Sequence, residues 1–264
     1  MKKFIGSVVV IVTLLIGVAV FYMSKPGSAP VLQPVAPQQA SSTTPPQPAK
    51  HYPLPEEKDP QAASKPLPSL EQSDPSVMEA ISGSLVHQSL KDLIRLDGLV
   101  RNIVVTIDNL PRQTMAVRQF PVAPAGSAFA VSGADENLSI AAENAKRYAP
   151  YAQIAEGMDA KSLVDAYVHL YPLFQRAYEE LGYPNGYFND RLIAVIDHLL
   201  NTPEINGPIA LVQSHVQYRF ADPALEADSA GHKVMIRMGA ENAAKVKAKL
   251  REIRRELTRH IPPK

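Results

Sequence analysis

An uncharged apolar run near the start of the chain limits its architecture more than any other feature. Phe4–Met23 contains no charged residue, two lysines precede it, and Lys25 follows it. An α-helix of that length spans about 30 Å, which is the hydrocarbon thickness of a bilayer. The sequence therefore predicts a transmembrane helix within residues 1–25, with the membrane as one partner of the chain.

A cleaved signal peptide is the alternative reading of this run. Such peptides have an apolar region of about 7–15 residues that ends at a small-x-small cleavage site. The run here is longer, and Pro30 directly follows the small-x-small tripeptide Gly27–Ala29. Positive charge is greater before the run than after it, which favours a cytoplasmic N-terminus. We therefore predict a retained single-pass anchor with the remaining chain outside the cytoplasm.

The segment after the anchor is rich in proline. Residues 24–68 hold half of the 24 prolines, among Ala, Ser, Gln and Thr. A segment with so few large apolar side chains cannot bury enough surface to offset its ordering entropy. We predict a disordered linker over residues 26–68 that tethers the domain and is partly polyproline II. A specific ligand for an SH3-type domain is the alternative.

Several chemistries are excluded or disfavoured by what the sequence lacks. The chain has no cysteine, so disulfides and Cys-ligated metal sites are excluded. It has no serine nucleophile elbow, zinc-protease helix motif, phosphate-binding loop or dinucleotide fingerprint. Its seven histidines lie at least 17 residues apart in the sequence, so no helix carries a histidine pair for a metal. We expect no metal and no cofactor.

The remaining residues, 69–264, read as one mainly helical domain. Asp159 is a predicted N-cap, and Gly182 ends the helix that follows it. Asn189 is the predicted cap of the next helix. Apolar residues in the first helix recur at spacings of three and four, which is typical of one buried helix face. They are Val164, Tyr167, Tyr171, Phe174, Tyr178 and Leu181.

Proline and extended patterns mark the other elements. Asp74, Thr202 and Asp222 each precede a proline, as helix N-caps often do. Helices are also predicted over Pro223–Met238 and Ala240–Thr258. Extended structure is predicted where 129–131 faces 138–140 across a turn, and over 212–220. The predicted fold class is mainly α, with a transmembrane helix, a disordered linker and one helical domain that contains one small β-hairpin.

Five segments of the domain carry a family resemblance: Asp108–Arg112, Tyr171–Phe174, Gly182–Arg191, Asp197–Leu200 and Arg237–Leu250. Over about residues 69–255 the chain resembles the proteobacterial family known as domain of unknown function 3014. Members of that family also carry an N-terminal membrane anchor and a proline-rich linker. The resemblance implies a Gram-negative inner-membrane protein with a single span and a periplasmic domain. It implies no activity, because none is assigned to the family.

The stretch from residue 167 to residue 188 is rich in aromatic side chains. It holds seven of the seventeen Phe and Tyr residues. They can fill a helix–helix interface, with their hydroxyl groups at its edge. Alternatively, some form an exposed platform that stacks on sugars or holds a peptide. Tyr183 and Tyr187 are the candidates for that binding role, because both lie in the predicted turn.

Polar residues surround the same turn. Asn189 and Arg191 are candidate partner-binding residues. Asp190 and Asp197 are two helical turns apart, so their carboxylates share a face. Together with Glu180 they are the candidate catalytic residues of an envelope (cell-wall) hydrolase. The reading we favour makes Asp190 a helix N-terminal charge beside the helix dipole and Arg191 its salt-bridge partner.

The C-terminal helix is strongly basic. From His232 onward ten Lys and Arg stand against three Glu, a net charge of +7 in a chain whose total is +1. A buried apolar stripe there would leave the basic residues outward, namely Lys245, Lys247, Lys249, Arg251, Arg254 and Arg255. This face either is solvated and packed on the acidic remainder of the domain, or binds an anionic partner. For the second case Lys245, Lys249 and Arg254 are the candidate partner-binding residues.

Two functions follow from these patterns. The first is a non-catalytic envelope module that binds or scaffolds an envelope protein or an anionic polymer. The second is the hydrolase described above. Nucleic acid is not an expected partner, because the predicted topology places the domain outside the cytoplasm.

Overall fold

A computed structural model of the chain describes residues 51–54, 67–82, 95, 97–115, 119–122, 125, 128–134, 137–214 and 217–260. The predicted transmembrane helix and most of the predicted linker lie outside these residues. Within the part that is described, no helix is both long and apolar enough to cross a membrane. The prediction of a mainly helical domain with a small antiparallel β-structure is confirmed.

The described residues form eight α-helices, after a short 3₁₀ turn at Leu70–Gln72. They are α1 (Asp74–Ser82), α2 (Leu99–Asn109), α3 (Glu143–Gly157), α4 (Ala160–Glu180), α5 (Phe188–Leu200), α6 (Pro223–Ala227), α7 (Ala230–Arg237) and α8 (Ala240–Arg259). The helix predicted over 223–238 is therefore two helices. Ser229 separates them, because its side chain accepts a hydrogen bond from the His232 amide and caps α7.

A four-stranded antiparallel sheet accompanies the helices. Its strands are β1 (Val131–Ser132), β2 (Leu138–Ile140), β3 (Ala210–Ser214) and β4 (Gln217–Phe220), paired in that order. The first hairpin matches the prediction, with Val131 opposite Ile140. The segment predicted as extended over 212–220 is a second hairpin. Leu138 pairs with Leu211, which joins the two hairpins into one sheet.

Helix α8 lies at the centre of the helical packing, against α3, α4 and α5. Its predicted apolar stripe is confirmed, because Val246, Leu250, Ile253 and Leu257 are fully buried. Burial of each such side chain contributes about 1.5–3 kcal/mol of hydrophobic free energy. A smaller apolar cluster between the sheet and α7 contains Leu211, Phe220 and Ile236.

The predicted helix caps differ in outcome. Asp159 and Asp222 cap their helices as predicted, since each carboxylate accepts a backbone N–H within the first turn. Thr202 was wrongly predicted to start a helix. Its hydroxyl instead donates to the Leu199 carbonyl, and the residues that follow it form a loop.

Asp74 also has a different role from the predicted one. It lies inside the first turn of α1, and its carboxylate accepts hydrogen bonds from the Gly98 and Leu99 amides. Gly98 has φ = 65°, which places it in the left-handed region, and as a glycine it has no side chain with which to cap α2. Asp74 therefore caps α2 in place of its own helix.

Candidate functional site

The N-terminus of α5 is capped by a side chain from α4. The amide of Phe188 donates to Gln175 Oε1 at 2.9 Å, and Gln175 Nε2 donates to the Gly186 carbonyl at 2.8 Å. The predicted capping role of Asn189 is therefore wrong: Asn189 lies within α5 and is fully buried. Because Gln175 satisfies the first amide of the helix, the amide side chain of Asn189 is available for another contact.

That contact is with a segment of the chain far away in sequence. The amide of Tyr52 donates to Asp190 Oδ1 at 2.6 Å, and the Tyr52 carbonyl accepts from Asn189 Nδ2 at 2.8 Å. Two neighbouring side chains of one helix therefore hold both main-chain polar groups of a single residue. Pro53 follows Tyr52 and disfavours helical backbone there, so the segment is biased towards extended structure.

The ring of Tyr187 completes this arrangement. The His51 ring lies over it with 4.1 Å between centroids, and His51 Nδ1 is 2.9 Å from Asp190 Oδ2. Tyr187 remains 53% exposed, which agrees with the prediction that it is accessible. We refer to Tyr187, Asn189 and Asp190 as the clamp. Its occupant, residues 51–54, belongs to the range predicted as linker.

Behind the clamp, Asp108 is a buried carboxylate that organises several side chains. It is 1% exposed and accepts hydrogen bonds from Arg191 Nε at 2.9 Å and Arg112 Nη2 at 2.6 Å. The Tyr183 hydroxyl donates to the same carboxylate at 3.2 Å. Arg191 also donates to the Asp108 main-chain carbonyl at 2.7 Å. These contacts tie the end of α2 to the start of α5 and to the turn before it.

Arg191 was wrongly predicted to form a salt bridge with Asp190. Adjacent residues on a helix diverge by about 100°, so their side chains do not face each other. Arg191 points towards α2, where it meets Asp108, while Asp190 points towards residues 51–52. Sequence reasoning missed Asp108, although its segment was among those that carry the family resemblance.

Most of the aromatic stretch forms core. Tyr167, Phe174 and Phe188 are buried against one another, with 5.6 Å between the ring centroids of Tyr167 and Phe174. Tyr178 stacks on the half-buried Tyr183 at 4.5 Å. Burial raises the pKa of Tyr178 to about 12, with the Asp108 charge as the next cause. These rings therefore fill the helix–helix interface, as the first of the two predictions has it. Tyr187 differs from them, because one face of its ring contacts His51.

The three candidate catalytic carboxylates have different partners. Asp197 is paired with Arg254, whose Nη2 lies 3.0 Å from Asp197 Oδ2. That hydrogen bond raises the pKa of the Arg254 guanidinium. Glu180 accepts from Arg101 Nη2 at 2.9 Å, and Asp190 is buried in the clamp. Each carboxylate thus has a different partner: Asp197 binds α8, Glu180 binds α2, and Asp190 binds residues 51 and 52.

The orientation predicted for two lysines of α8 is wrong. Lys247 and Lys249 are each 7% exposed. Lys249 Nζ donates to the Met158 carbonyl at 2.7 Å, at the C-terminus of α3, and Lys247 Nζ donates to the Thr202 carbonyl at 2.8 Å, beyond the end of α5. Their long apolar stems can be buried, and their ammonium groups satisfy helix C-terminal carbonyls.

The other basic residues of α8 remain accessible to different degrees. Lys245 lies 3.2 Å from Glu241, and Arg254 is paired with Asp197 as above. Arg251 and Arg255 are exposed, one helical turn apart, and have no ion pair within the described part of the chain. The binding role predicted for Lys245, Lys249 and Arg254 stays a prediction.

A second polar cluster was not predicted, because its members are distant in sequence. The rings of His198 and His232 stack with centroids 4.0 Å apart. Ser229 Oγ lies 2.7 Å from His198 Nε2, and burial, then the neighbouring His232, lowers the pKa of His198. The spacing is that of a serine–base pair, but Ser229 is 6% exposed and its hydroxyl also caps α7.

The described residues include no group of three or more His, Asp or Glu side chains placed to hold a metal ion. This part of the chain is a mainly helical domain in which Tyr187, Asn189 and Asp190, at the start of α5, contact residues 51 and 52.

The family of the chain follows from its match to a family profile. Residues 99–254 match the family DUF3014, described as a protein of unknown function. This match covers more than half of the chain, and the chain belongs to this family. No curated protein and no solved structure matches it significantly.

Proposed function

We propose that the chain is a non-catalytic, membrane-anchored protein of the bacterial cell envelope whose domain binds an extended peptide segment at the clamp. The observation that carries this proposal is the pair of hydrogen bonds from Asn189 and Asp190 to the two main-chain groups of Tyr52. Such a pair recognises a peptide backbone. A sugar, the other ligand considered for the aromatic residues, has no main-chain N–H and carbonyl on either side of one Cα atom, as Tyr52 has.

The clamp provides a specificity element beside its backbone contacts. The Tyr187 ring and the Asp190 carboxylate together receive a flat, polar side chain, as His51 shows. Tyr52 and Leu54 pack against the domain core. The preferred occupant is therefore an extended segment with an aromatic residue before proline and a hydrogen-bonding ring one position earlier.

In the described structure the occupant comes from the same chain. A tethered segment has an effective concentration of the order of millimolar, so a partner segment must outcompete it. We propose that residues 51–54 act as an internal competitor, and that a partner with a similar segment displaces them. Displacement would also free the residues that precede the domain and lengthen the tether.

The test uses the absence of cysteine from the chain. A fluorophore on Lys50→Cys in the full chain reports docking of the neighbouring segment through its anisotropy. Asn189→Asp replaces the donor to the Tyr52 carbonyl by an acceptor, so anisotropy should fall. Asp197→Asn, on the same helix but outside the clamp, is the matched control and should not change it.

A free peptide spanning residues 48–56, added at millimolar concentration, should also lower the anisotropy in the unchanged domain. The same peptide with proline at the position of Tyr52 lacks the donated N–H and should have no effect. Equal anisotropy in the Asn189→Asp and unsubstituted chains would refute docking. Failure of the first peptide to displace the segment would refute peptide binding in trans.

The envelope location is a separate part of the proposal, supported by the apolar run Phe4–Met23 and its flanking charges. A reporter enzyme that works only outside the cytoplasm, fused after Lys264, should be active. The protein should also stay in membranes after carbonate washing. A soluble periplasmic product that lacks residues 1–29 would contradict the anchor.

The alternative is an envelope hydrolase that uses Asp190, Asp197 or Glu180. It would need two carboxylates facing one substrate. The separate pairing of Asp197 with Arg254 and of Glu180 with Arg101 supports the binding function instead.

A further inference from the structure

A cavity of about 610 Å³ lies between the loop after α5, the start of α3, α7 and the first turns of α8. This volume is within the range of about 300–1,000 Å³ that is typical of small-molecule sites. No clamp residue lines it. Most of its wall is apolar, and its lining residues include Ile140, Ile205, Ile209, Met235 and Ile236.

One strong cation lines this apolar cavity. Arg237, at the end of α7, is 4% exposed. No described residue forms a direct ion pair or hydrogen bond with its guanidinium, whose carbon lies 4.6 Å from the centroid of the Phe220 ring. Glu226 and Tyr148 act on the guanidinium only at longer range. Arginine stays protonated in proteins, so burial leaves a charge without a directly paired counter-ion.

A second cation lies on the same wall. Lys247 lines the cavity and donates one of its three protons to the Thr202 carbonyl. The nearest carboxylate to Lys247 is that of Glu204, at 3.8 Å, and the Glu204 side chain is 87% exposed. A third polar neighbour, Asn144, uses its amide group on the Ala130 and Ala141 carbonyls. The cavity therefore has a surplus of positive charge and of unused donors.

We propose that this cavity binds an apolar molecule that carries a single carboxylate, with the carboxylate on Arg237 and the apolar part between the isoleucines. The planar guanidinium matches the two oxygens of a carboxylate, and its removal from water strengthens the pairing. This site is independent of the clamp, because it rests on other residues and would bind a different class of ligand.

The test compares three probes with equal ten-carbon chains on the full chain in lipid nanodiscs. They are decanoate, decanol and decyl phosphate. A fluorophore on Arg255→Cys, at an exposed position, follows thermal unfolding. Decanoate at ten times its Kd should raise the Tm by about 3–6 °C, and decanol should raise it less. Each probe enters the lipid to the same extent whichever variant is present, so a difference in Tm shift between variants reports on the cavity.

Two variants locate the effect. Arg237→Met keeps the volume apolar and should weaken decanoate binding by about 10–100-fold, which removes its advantage over decanol. Without ligand this variant should be at least as stable as the parent protein, because it removes an unpaired buried charge. Ala244→Phe fills the cavity at an exposed lining position, leaves Arg237 in place and should lower the response to both probes. Arg219→Met, at an exposed position of β4, is the matched control for loss of an arginine.

Equal stabilisation by decanoate and decanol in the parent protein would overturn the proposal. A response to decyl phosphate alone would overturn the assignment of a carboxylate. If Arg237→Met unfolds, the Ala244→Phe variant still decides the question, since an unchanged decanoate response in that variant would place the ligand elsewhere.

Discussion

Asp108 offers the sharpest test of how the region behind the clamp is held together. Asp108→Asn keeps the shape of the side chain and removes its charge. Arg191, with a side chain 14% exposed, then loses its counter-ion, and breaking a buried pair in this way costs about 3–5 kcal/mol. We expect the lower end, about 3 kcal/mol, because Arg191 keeps its bond to the Asp108 carbonyl and Arg112 is half exposed. For a domain of this size the Tm should fall by about 6–12 °C.

The matched control is Asp197→Asn, which breaks the pair with Arg254, where both side chains are more than a third exposed. Such pairs contribute about 0–1 kcal/mol, so the Tm should fall by at most about 4 °C. Adding Arg191→Met to Asp108→Asn should restore part of the lost stability, because it removes the stranded charge. Thermal unfolding followed by far-ultraviolet circular dichroism measures all four proteins. An Asp108→Asn variant as stable as Asp197→Asn would refute this reasoning.

Two further predictions concern glycines and pH. Gly157→Ala should raise the free energy of unfolding by about 0.5–1 kcal/mol, because no atom lies within 4 Å of the added Cβ. Gly231→Ala should lower it by about 1–3 kcal/mol, because its Cβ would lie 2.7 Å from a Leu199 methyl. Urea unfolding measures both changes, and changes of the same sign would contradict the packing. Because its pKa is lowered in the folded state, His198 binds fewer protons there than in the unfolded chain. Its contribution to stability is therefore complete above about pH 6.5 and is lost as the pH falls below that value. Between pH 7 and pH 5, His198→Gln should flatten the decline in Tm, and an unchanged slope would assign the decline to other groups.

The elements set by short-range patterns were predictable from the sequence. The apolar face of α4 and the Asp159 cap depend on residues within a few positions of each other, and both are as expected except at Leu181. Leu181 was wrongly predicted to belong to the buried face, because it follows the last residue of α4 and is 37% exposed. The β1–β2 hairpin follows in the same way from one turn. The pairing of β2 with β3 was not predictable, because more than 60 residues and three helices separate these strands and no local signal specifies their register.

The candidate site likewise has a part that depends on nearby residues and a part that depends on residues far away in the sequence. The sequence identified Tyr187, Asn189 and Asp190 as polar and aromatic residues around one turn. It assigned Asp190 a wrong partner and Asn189 a wrong role, because their true partners, His51 and Tyr52, lie more than 130 positions away. Arg237 could have been noticed as a lone charge among the apolar residues at the end of α7, but only the fold shows that no described carboxylate forms a direct ion pair with it.

The charge of α8 shows why a count along the chain overstates how basic the exposed surface of the helix is. A net charge of +7 after His232 suggested a basic face. In the folded domain two of its lysines satisfy carbonyls at the ends of other helices, and Arg254 is held by Asp197. Among the described residues of α8 the exposed arginines without an ion pair are Arg251 and Arg255. Two such charges give a weak and strongly screened attraction for a large anionic polymer. The clamp holds residues 51 and 52 through three hydrogen bonds, so it is the better candidate for specific recognition, and the arginines would at most steer an acidic partner towards the domain.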